Sequence, residues 1–433
     1  MAFVIERIVP HRAAVNAARR RAVAVLCAAL VVSAVAAMAP AHAASSANDN
    51  ESNATLLKVG GLGSLASFPS ADVGAKARLT RANADHEVEG VTFRYTEYVD
   101  DGSSEATAQA AATKLVDQDD VFAIVPALSP FTPGPELAKQ KVLSFGWGAD
   151  ASFCTGSRST NGWGFAVSGC LAPVLPERVP AIGAPLYRAV STKTGNATPT
   201  LAVISTATDP GRRWVSSEAS AYAAAGFDVV YVKGSLPVPP TSSPTAVVQD
   251  LLLANNGAPT DAVVCLATTE CLAVKQFLQA NNYTGTFQSF LYADTPVRGL
   301  ANAFAAPQYA PFAADTPAQT RMLADVRALN PQAVMTPDVV IGYLAADMLV
   351  AALRRVVRDD KTITPANVQH AAAAMTFRVE GLYGPTKYPD SFVRSTSACS
   401  ALVLDTGQSW DVVDPYGCTK KTVPVDARFG AVG

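Results

Sequence analysis

Residues 73–125 have the sequence VGAKARLTRANADHEVEGVTFRYTEYVDDGSSEATAQAAATKLVDQDDVFAIV, in which helical and strand patterns alternate. Two β-branched runs, VTFRYTEY (91–98) and VFAIV (121–125), are typical of strands. Before each run, small and apolar residues recur at spacings of three and four, as they do on one face of a helix. These residues are Ala75, Leu79 and Ala82, followed by Ala108, Ala111 and Leu115. The stretch therefore predicts a helix–strand–helix–strand unit of an α/β protein.

The same alternation continues along the chain in two series. Further strands are predicted at 56–62 and 141–145 in the first series, and at 200–206, 227–232, 261–266 and 287–293 in the second. A segment rich in Gly, Pro and Cys, residues 150–190, joins the two series. We predict an α/β fold of two doubly wound, parallel-sheet lobes joined by a hinge. Because such sheets bind ligands beyond the carboxyl ends of their strands, loops of both lobes are expected to line one cleft.

The N-terminal residues have the three parts of a secretory signal peptide. A segment with five Arg precedes the apolar run AVAVLCAALVVSAVAAMA, and Ala41-His42-Ala43 is a small-x-small cleavage site. We therefore predict a signal peptide over residues 1–43, a flexible N-terminus over 44–54, and a periplasmic or extracellular protein that is soluble after cleavage. An uncleaved membrane anchor is the alternative, because an apolar run of about 18 to 20 residues can span a bilayer.

The composition of the exported part argues against nucleic acid and metal as ligands. Removal of the five Arg and one Glu of the signal peptide leaves 29 basic and 35 acidic residues, so the exported chain is acidic. We therefore predict no nucleic-acid binding. No CxxC motif occurs, and no metal site is predicted.

Six Cys remain after removal of the signal peptide, and an even number in an oxidising compartment favours disulfides. We predict pairing between neighbours, because each such pair brackets one short loop or hairpin. The predicted pairs are Cys154 with Cys170, Cys265 with Cys271, and Cys399 with Cys418. Mixed pairing or free buried thiols remain the alternative, since six Cys allow 15 connectivities.

Few residues are available for catalysis. Only His86 and His370 lie outside the signal peptide, neither is at a strand end, and no G-x-S-x-G motif occurs. The stretch VGGLGSLA (59–66) begins like a dinucleotide-binding turn, but the next helix is predicted to start only near Asp72, too late to receive a phosphate. We expect no enzyme activity and no cofactor, with an exported enzyme as an alternative.

Two stretches resemble a known family. The family has a G-A-x-x-A helix ending in N-A, and the matching helix here, within residues 73–125, begins with GAKAR and also ends in N-A. A Gly before the second strand, a D-D pair and a strand like DVFAIV follow in both. Residues 261–294, DAVVCLATTECLAVKQFLQANNYTGTFQSFLYAD, resemble the matching part of the second lobe. Over most of residues 55–385 the chain is similar to the leucine/isoleucine/valine-binding solute receptors of ABC transporters. The resemblance implies a type I periplasmic-binding fold with three crossovers, which closes on a small-molecule ligand and delivers it to a membrane permease.

The domain organisation and partners are expected to follow this family. Lobe 1 is expected to comprise residues 55–178 and 313–380, and lobe 2 residues 179–312 and 381–433. The expected partners are a small ligand and the permease of an ABC importer, and the receptor itself is expected to be a monomer. A ligand sensor that signals to a membrane receptor shares this fold and remains the alternative.

The resemblance also suggests which residues bind the ligand. Ser129 and Thr132, in PALSPFT, fall where the family binds the ligand carboxylate. Glu270, which follows Thr269 in ATTEC, matches the acid that binds the ligand ammonium, and Asp294 matches the next acid at a strand end. The simpler interpretations are that Ser129 caps the helix ELAKQ and that Glu270 is a favourable charge at a helix N-terminus.

The sequence departs from the family at two places. In SFGWG, where the family has a small residue and a Thr, the chain has Gly146, Trp147 and Gly148. At DPGRR, where an aromatic residue normally covers the ligand, it has Asp209. The ligand is therefore expected to be aromatic or not an amino acid, with Trp147 stacking on its ring. The alternative is that Trp147 packs between the lobes.

Overall fold

The computed structural model describes residues 54–131, 134–148, 153–155, 162–173, 178–238, 243–396 and 398–429, with only the backbone of Pro135. The predicted signal peptide and Thr132 lie outside these residues. Within the described part of the chain, no helix is long and apolar enough to cross a membrane.

The first sheet has five parallel strands in the order β2-β1-β3-β4-β5. Its strands are β1 (Thr55–Gly63), β2 (Val91–Asp100), β3 (Ala123–Leu128), β4 (Leu143–Gly146) and β5 (Gly164–Ala166). The helices that belong with this sheet are α1 (Ala71–Ala84), α2 (Glu105–Thr113), α3 (Gly134–Lys139), α8 (Pro317–Leu329), α9 (Pro337–Arg358) and α10 (Pro365–Ala373). α1 and α9 pack on one face of the sheet, and α2 and α3 cover the other. We call this unit lobe 1.

The second sheet has seven strands in the order β15-β14-β11-β10-β9-β7-β8. β7 (Thr200–Thr206), β8 (Asp228–Leu236), β9 (Ala262–Leu266), β10 (Thr286–Ser289) and β11 (Ala303–Ala305) are parallel, and β14 (Cys399–Asp405) and β15 (Trp410–Cys418) form an antiparallel edge. The helices are α4 (Ala184–Thr194), α5 (Asp209–Ala225), α6 (Thr245–Leu253) and α7 (Thr269–Ala280). We call this unit lobe 2.

Alternate residues of β7 face opposite sides of the second sheet, as the pleat of a strand requires. Leu201 and Val203 pack toward α4 and α5, whereas Ala202 and Ile204 pack toward α6 and α7. The two hydrophobic layers explain why β7 is apolar on both faces. Helices therefore cover both faces of each sheet, which confirms the predicted α/β fold.

The chain passes between the sheets three times. The first crossover follows β5 and leads to α4, the second follows β11 and leads to α8, and the third connects β13 (Tyr383–Lys387) to β14. β13 pairs with β12 (Thr376–Val379), and the first crossover contains β6 (Arg178–Pro180), which pairs with the C-terminal strand β16 (Thr422–Pro424). The predicted lobe limits at 178, 312 and 380 remain predictions.

The three disulfides of the structure are those expected from the sequence. Cys154 pairs with Cys170, Cys265 with Cys271, and Cys399 with Cys418. The second joins the end of β9 to the first turn of α7, and the third closes the β14–β15 edge hairpin. Each disulfide thus fastens a local connection.

Close packing of α1 against α9 depends on two glycines. A Cβ on Gly74 would lie 1.9 Å from the carbonyl oxygen of Val339, and one on Gly342 would lie 1.9 Å from that of Ala71. Beside this contact, the buried Arg78 donates to Asp347 at 2.5 Å and to Glu87 at 2.8 Å. VGGLGSLA comprises the end of β1 and the residues after it, and α1 begins only at Ala71, late as predicted.

Side chains of β2 lie against the glycines of VGGLGSLA. A Cβ on Gly61 would lie 2.4 Å from the Tyr95 hydroxyl, and one on Gly63 would lie 2.1 Å from that of Tyr98. The glycines therefore make room for two partly buried tyrosines of lobe 1.

The contact between α1 and α9 predicts the effect of Gly342→Ala. In an unconstrained helix this change stabilises by roughly 0.5 to 1 kcal/mol. Here the new methyl group would overlap a carbonyl of the neighbouring helix, so the substitution should reduce the free energy of unfolding by about 1 to 3 kcal/mol. Urea unfolding of the mature protein measures this, and Gly74→Ala should act in the same direction. A gain in stability would contradict the packing.

The hairpin disulfide predicts a second effect on stability. Its cysteines are separated by 19 residues along the chain, so the double variant Cys399→Ser, Cys418→Ser should lose about 3 kcal/mol, the loop-entropy contribution for this loop length. Urea unfolding under non-reducing conditions would show the loss, and adding reductant should then have a smaller effect on the variant than on the wild-type protein. Equal stability of the two proteins would contradict a structural role for this bridge.

Candidate ligand-binding cleft

A cleft lies between the lobes, at the carboxyl ends of strands from both sheets. It contains about 660 Å³ of space not filled by atoms, including its open mouth. Lobe 1 contributes residues at and beyond the carboxyl ends of β1, β3 and β4, and lobe 2 contributes residues at and beyond the carboxyl ends of β7, β8 and β9. The main lining residues are Ser67, Phe68, Leu128, Ser129, Pro130, Trp147, Gly148, Phe153, Thr206, Thr208, Pro210, Gly211, Trp214, Val238, Leu266, Thr268 and Glu270.

An aromatic cluster forms the floor of the cleft. Trp147 of lobe 1 meets Trp214 of lobe 2 edge to face, with ring centroids 5.5 Å apart. Phe68 contacts Trp147 at 6.2 Å, and Phe290 contacts both tryptophans, at 5.9 and 4.9 Å. The indole of Trp147 donates to Gln308 Oε1 at 3.2 Å. Trp147 therefore packs between the lobes and also lines the cleft. Its stacking on a ligand ring remains a prediction.

Gly148 has a backbone conformation and a close contact that only glycine allows. Its φ is +122°, and a Cβ at this position would lie 2.0 Å from the carbonyl oxygen of Gly169. A residue with a side chain is excluded here on both grounds. Gly148 thus lets the loop after β4 lie against the first crossover while its backbone faces the cleft.

Ser129 lines the cleft beside β3, but its hydroxyl already has partners. Its Oγ accepts a hydrogen bond from the backbone N–H of Phe131 at 3.0 Å. It also bonds to the buried carboxyl of Asp101, whose pKa is raised by burial and lowered in part by this bond. Because α3 begins only at Gly134, Ser129 does not cap that helix. The hydroxyl therefore fixes the loop that forms one wall of the cleft.

Glu270 is the only charged side chain among the described residues that line the cleft. It lies in the first turn of α7 and is 4% exposed. Its Oε2 accepts from the backbone N–H and the hydroxyl of Thr268, at 3.2 and 3.4 Å. Its Oε1 accepts from the hydroxyl of Ser67 in lobe 1 at 3.3 Å. Glu270 thus bridges the lobes, and no Lys or Arg pairs with it in the described part of the chain.

Other residues expected at the site lie elsewhere. Gly146 ends β4 and does not line the cleft, and the Thr269 hydroxyl is buried away from it with no partner among the described residues. Asp209 is exposed and pairs with Arg212, although the next residues along α5, Pro210 and Gly211, do line the cleft.

Asp294 has a different environment from the one expected. Its carboxylate accepts from the backbone N–H of Met335 at 3.0 Å and pairs with Arg327 at 3.2 Å. It does not line the cleft. These contacts connect the loop after β10 with the chain before α9, so they join the two lobes away from the cleft.

Several lining residues were missed from the sequence. Ser67 and Phe68 follow β1, Thr206 ends β7 and Thr208 follows it, and Trp214 lies one turn into α5. The strand-end rule contained the signal for the first four, because each lies within a few residues of the carboxyl end of a predicted strand. Trp214 gave no such signal, since an apolar residue in a helix is normally assigned to the core.

The residues that line the cleft determine which ligands it can bind. Its walls are largely aromatic and aliphatic, with hydroxyl groups, backbone amides and one carboxylate. None of the described lining residues is basic. The cleft can therefore enclose an apolar or aromatic group and offer a negative charge to one end of it.

Comparison with known proteins gives a consistent assignment. The family model described as "Periplasmic binding protein" matches residues 54–403. A search of curated protein sequences finds no significant match. A possible leucine/isoleucine/valine-binding protein from Rhodopirellula baltica has a similar structure, with a TM-score of 0.66 at 17% identity, covering 84% of this chain and 98% of the other.

Two further similar structures contain ligands. One is a branched-chain amino acid ABC transporter protein from Thermus thermophilus with bound valine, with a TM-score of 0.62 at 16% identity, covering 84% of this chain and 97% of the other. The other is a solute-binding protein from R. palustris in complex with benzoate, with a TM-score of 0.62 at 15% identity, covering 84% and 98%. At these identities the similarity concerns the fold. Because the family model spans well over half of the sequence, the chain belongs to the periplasmic binding protein family and has the type I fold of ABC-transporter substrate-binding proteins.

Proposed function

We propose that the protein is an extracytoplasmic receptor that captures a small solute between its lobes and delivers it to the permease of an ABC importer. The observation that carries this proposal is the closed cleft, in which Glu270 of lobe 2 accepts a hydrogen bond from Ser67 of lobe 1. A solute that contacts both walls would stabilise this arrangement by its greater affinity for the closed state. The predicted signal peptide supports export, and a permease is the partner that the family membership suggests.

The residues of the cleft favour a ligand with an aromatic or bulky apolar body and a cationic or amide nitrogen. Trp147 and Trp214 offer ring faces and edges for the body. Glu270 would accept from the nitrogen, in place of its present bond from Ser67. Valine and benzoate are the ligands of two similar structures. Valine has the cationic nitrogen of this description, and benzoate has the aromatic body. A simple benzoate is disfavoured, because its carboxylate would meet the charge of Glu270 and no basic side chain among the described lining residues.

A thermal-shift screen of the mature protein tests this proposal. The panel should contain aliphatic and aromatic amino acids, aromatic amines and amides, and benzoates. A ligand at 100 times its dissociation constant should add about 2.7 kcal/mol of stability. We expect stabilisation by aromatic compounds that carry an amine or amide, and none by benzoate. Stabilisation by benzoate alone would contradict the assigned role of Glu270, and no stabilisation by any compound would contradict the proposed ligand class.

The role of Glu270 can be tested by Glu270→Gln. The amide keeps the shape but loses the charge, so affinity for an amine ligand found in the screen should fall by about 1.5 to 3 kcal/mol, the contribution of a hydrogen bond to a charged group. Isothermal titration calorimetry measures the change. Asp209→Asn is the matched control, because this variant loses one negative charge outside the cleft. The affinity of the control variant for the same ligand should stay at the wild-type value. Unchanged affinity of Glu270→Gln would remove this residue from the site.

A further inference from the structure

Glu218 is a buried acid without a cationic partner. It lies on α5 and is 7% exposed. Among the described residues its side chain has one hydrogen bond, from the indole N–H of Trp214 to Oε1 at 3.3 Å, and no ion pair. A carboxylate in such a place is costly when ionised. Burial accordingly raises the pKa of Glu218 to about 7, an effect that the Trp214 hydrogen bond opposes in part.

Two small cavities lie on either side of Glu218, and all three crossovers line them. The first crossover contributes Cys170, Leu171, Pro173, Val179, Pro180 and Ile182. The second contributes Gln308, which borders both cavities, and the third contributes Ser395. The carboxyl group therefore lies at the hinge, between lobe 2 and the segments whose backbone must change when the lobes open.

The surroundings of Glu218 contain few groups that could titrate with it. Tyr222, one turn further along α5, lines the second cavity and accepts from Gln288 Nε2 at 2.7 Å. Gln288 Oε1 is buried without a partner among the described residues. Cys170 is held in a disulfide. No other described residue that lines either cavity, from the crossovers, β10 or β14, carries a charge.

The same carboxyl group is connected to the ligand cleft. Trp214 donates to Glu218 and lines the cleft, where its ring packs against Trp147 of lobe 1 and Phe290. The orientation of the Trp214 ring thus depends on a group at the hinge. A change in the charge or hydration of Glu218 would act on both the hinge and the aromatic floor of the cleft.

We propose that Glu218 is a positioning residue that holds Trp214 and couples closure of the lobes to uptake of one proton. The neutral carboxyl group fits the small cavities of the closed hinge. The ionised group favours an open hinge, in which the crossovers separate and water reaches the carboxylate. This coupling rests on the proposed function, because it concerns the closure that captures the solute.

The sign of the pH effect follows from the raised pKa. Between the unperturbed pKa of about 4.5 and the folded value of about 7, the closed protein retains a proton that the unfolded chain has released. Stability is therefore highest below this window and falls as the pH rises through it. Closure weakens with increasing pH in the same way. A tenfold difference in the proton affinity of Glu218 between open and closed states would change ligand affinity by up to about tenfold.

Small-angle X-ray scattering of the ligand-free protein at pH 6 and pH 8 tests the coupling. The wild-type radius of gyration should increase at pH 8, whereas Glu218→Gln should keep the pH 6 value at both pH values. The variant should also have a higher melting temperature than the wild type at pH 8 and a similar one near pH 5. Glu105→Gln, which alters an exposed glutamate at the start of α2, is the control and should respond as the wild type does.

A second variant keeps the test decisive if Glu218→Gln does not fold. Trp214→Phe preserves a ring but removes the donor that favours the ionised carboxylate, so the midpoint of the pH response should move upward. A wild-type protein without a pH response, an equal response in Glu218→Gln, or an unchanged midpoint in Trp214→Phe would each overturn the proposal. Because no ligand is present, failure of the solute screen and failure of this coupling are separate results.

Discussion

The direction of the strands is the constraint on which the cleft depends. Parallel neighbours cannot be joined by a tight turn. Each strand must therefore be followed by a crossing segment, here usually a helix, that returns the chain to the amino-terminal end of the next strand. In both sheets the loops that line the cleft therefore lie at the carboxyl ends of the strands, where the ends of β1, β3 and β4 of lobe 1 face those of β7 and β9 of lobe 2. The antiparallel pair β14–β15 extends the second sheet at its far edge and contributes nothing to the cleft.

The contact between Trp147 and Trp214 has two roles, because it joins the lobes and also forms part of the cleft surface. Edge-to-face aromatic pairs contribute about 0.5 to 1.5 kcal/mol beyond the area that they bury, so the pair favours closure even without a ligand. The same rings form the floor that a ligand would touch. A ligand ring that replaces part of this contact must compensate for its loss, which favours solutes with large flat or apolar surfaces.

Local patterns predicted the fold well and the site only in part. β7 occupies the residues that its β-branched run indicated, and the helical spacing of Ala75, Leu79 and Ala82 is that of the buried face of α1, because both patterns result from burial against adjacent elements. The short strand β5 lies in the Gly- and Cys-rich segment that joins the two strand series and was missed, since three residues carry no period. Glu270 and Trp147 follow strand ends and were found, as were the disulfide pairs. Asp294 also follows a strand, yet it pairs with Arg327, a partner that only the tertiary structure brings near. Trp214 was missed because its role depends on how the lobes meet.

The bond between Ser67 and Glu270 indicates why a nitrogen-bearing solute would drive closure. The Ser67 hydroxyl and the N–H and hydroxyl of Thr268 only partly compensate a carboxylate that is 4% exposed, since the negative charge has no cation beside it in the described part of the chain. Opening the lobes returns Glu270 to water and removes that cost. A ligand ammonium would remove it in the closed state instead, and would do so only there, because Ser67 and the aromatic floor complete the enclosure. The preference of such a ligand for the closed state would therefore come from the same burial that leaves Glu270 without a cation there.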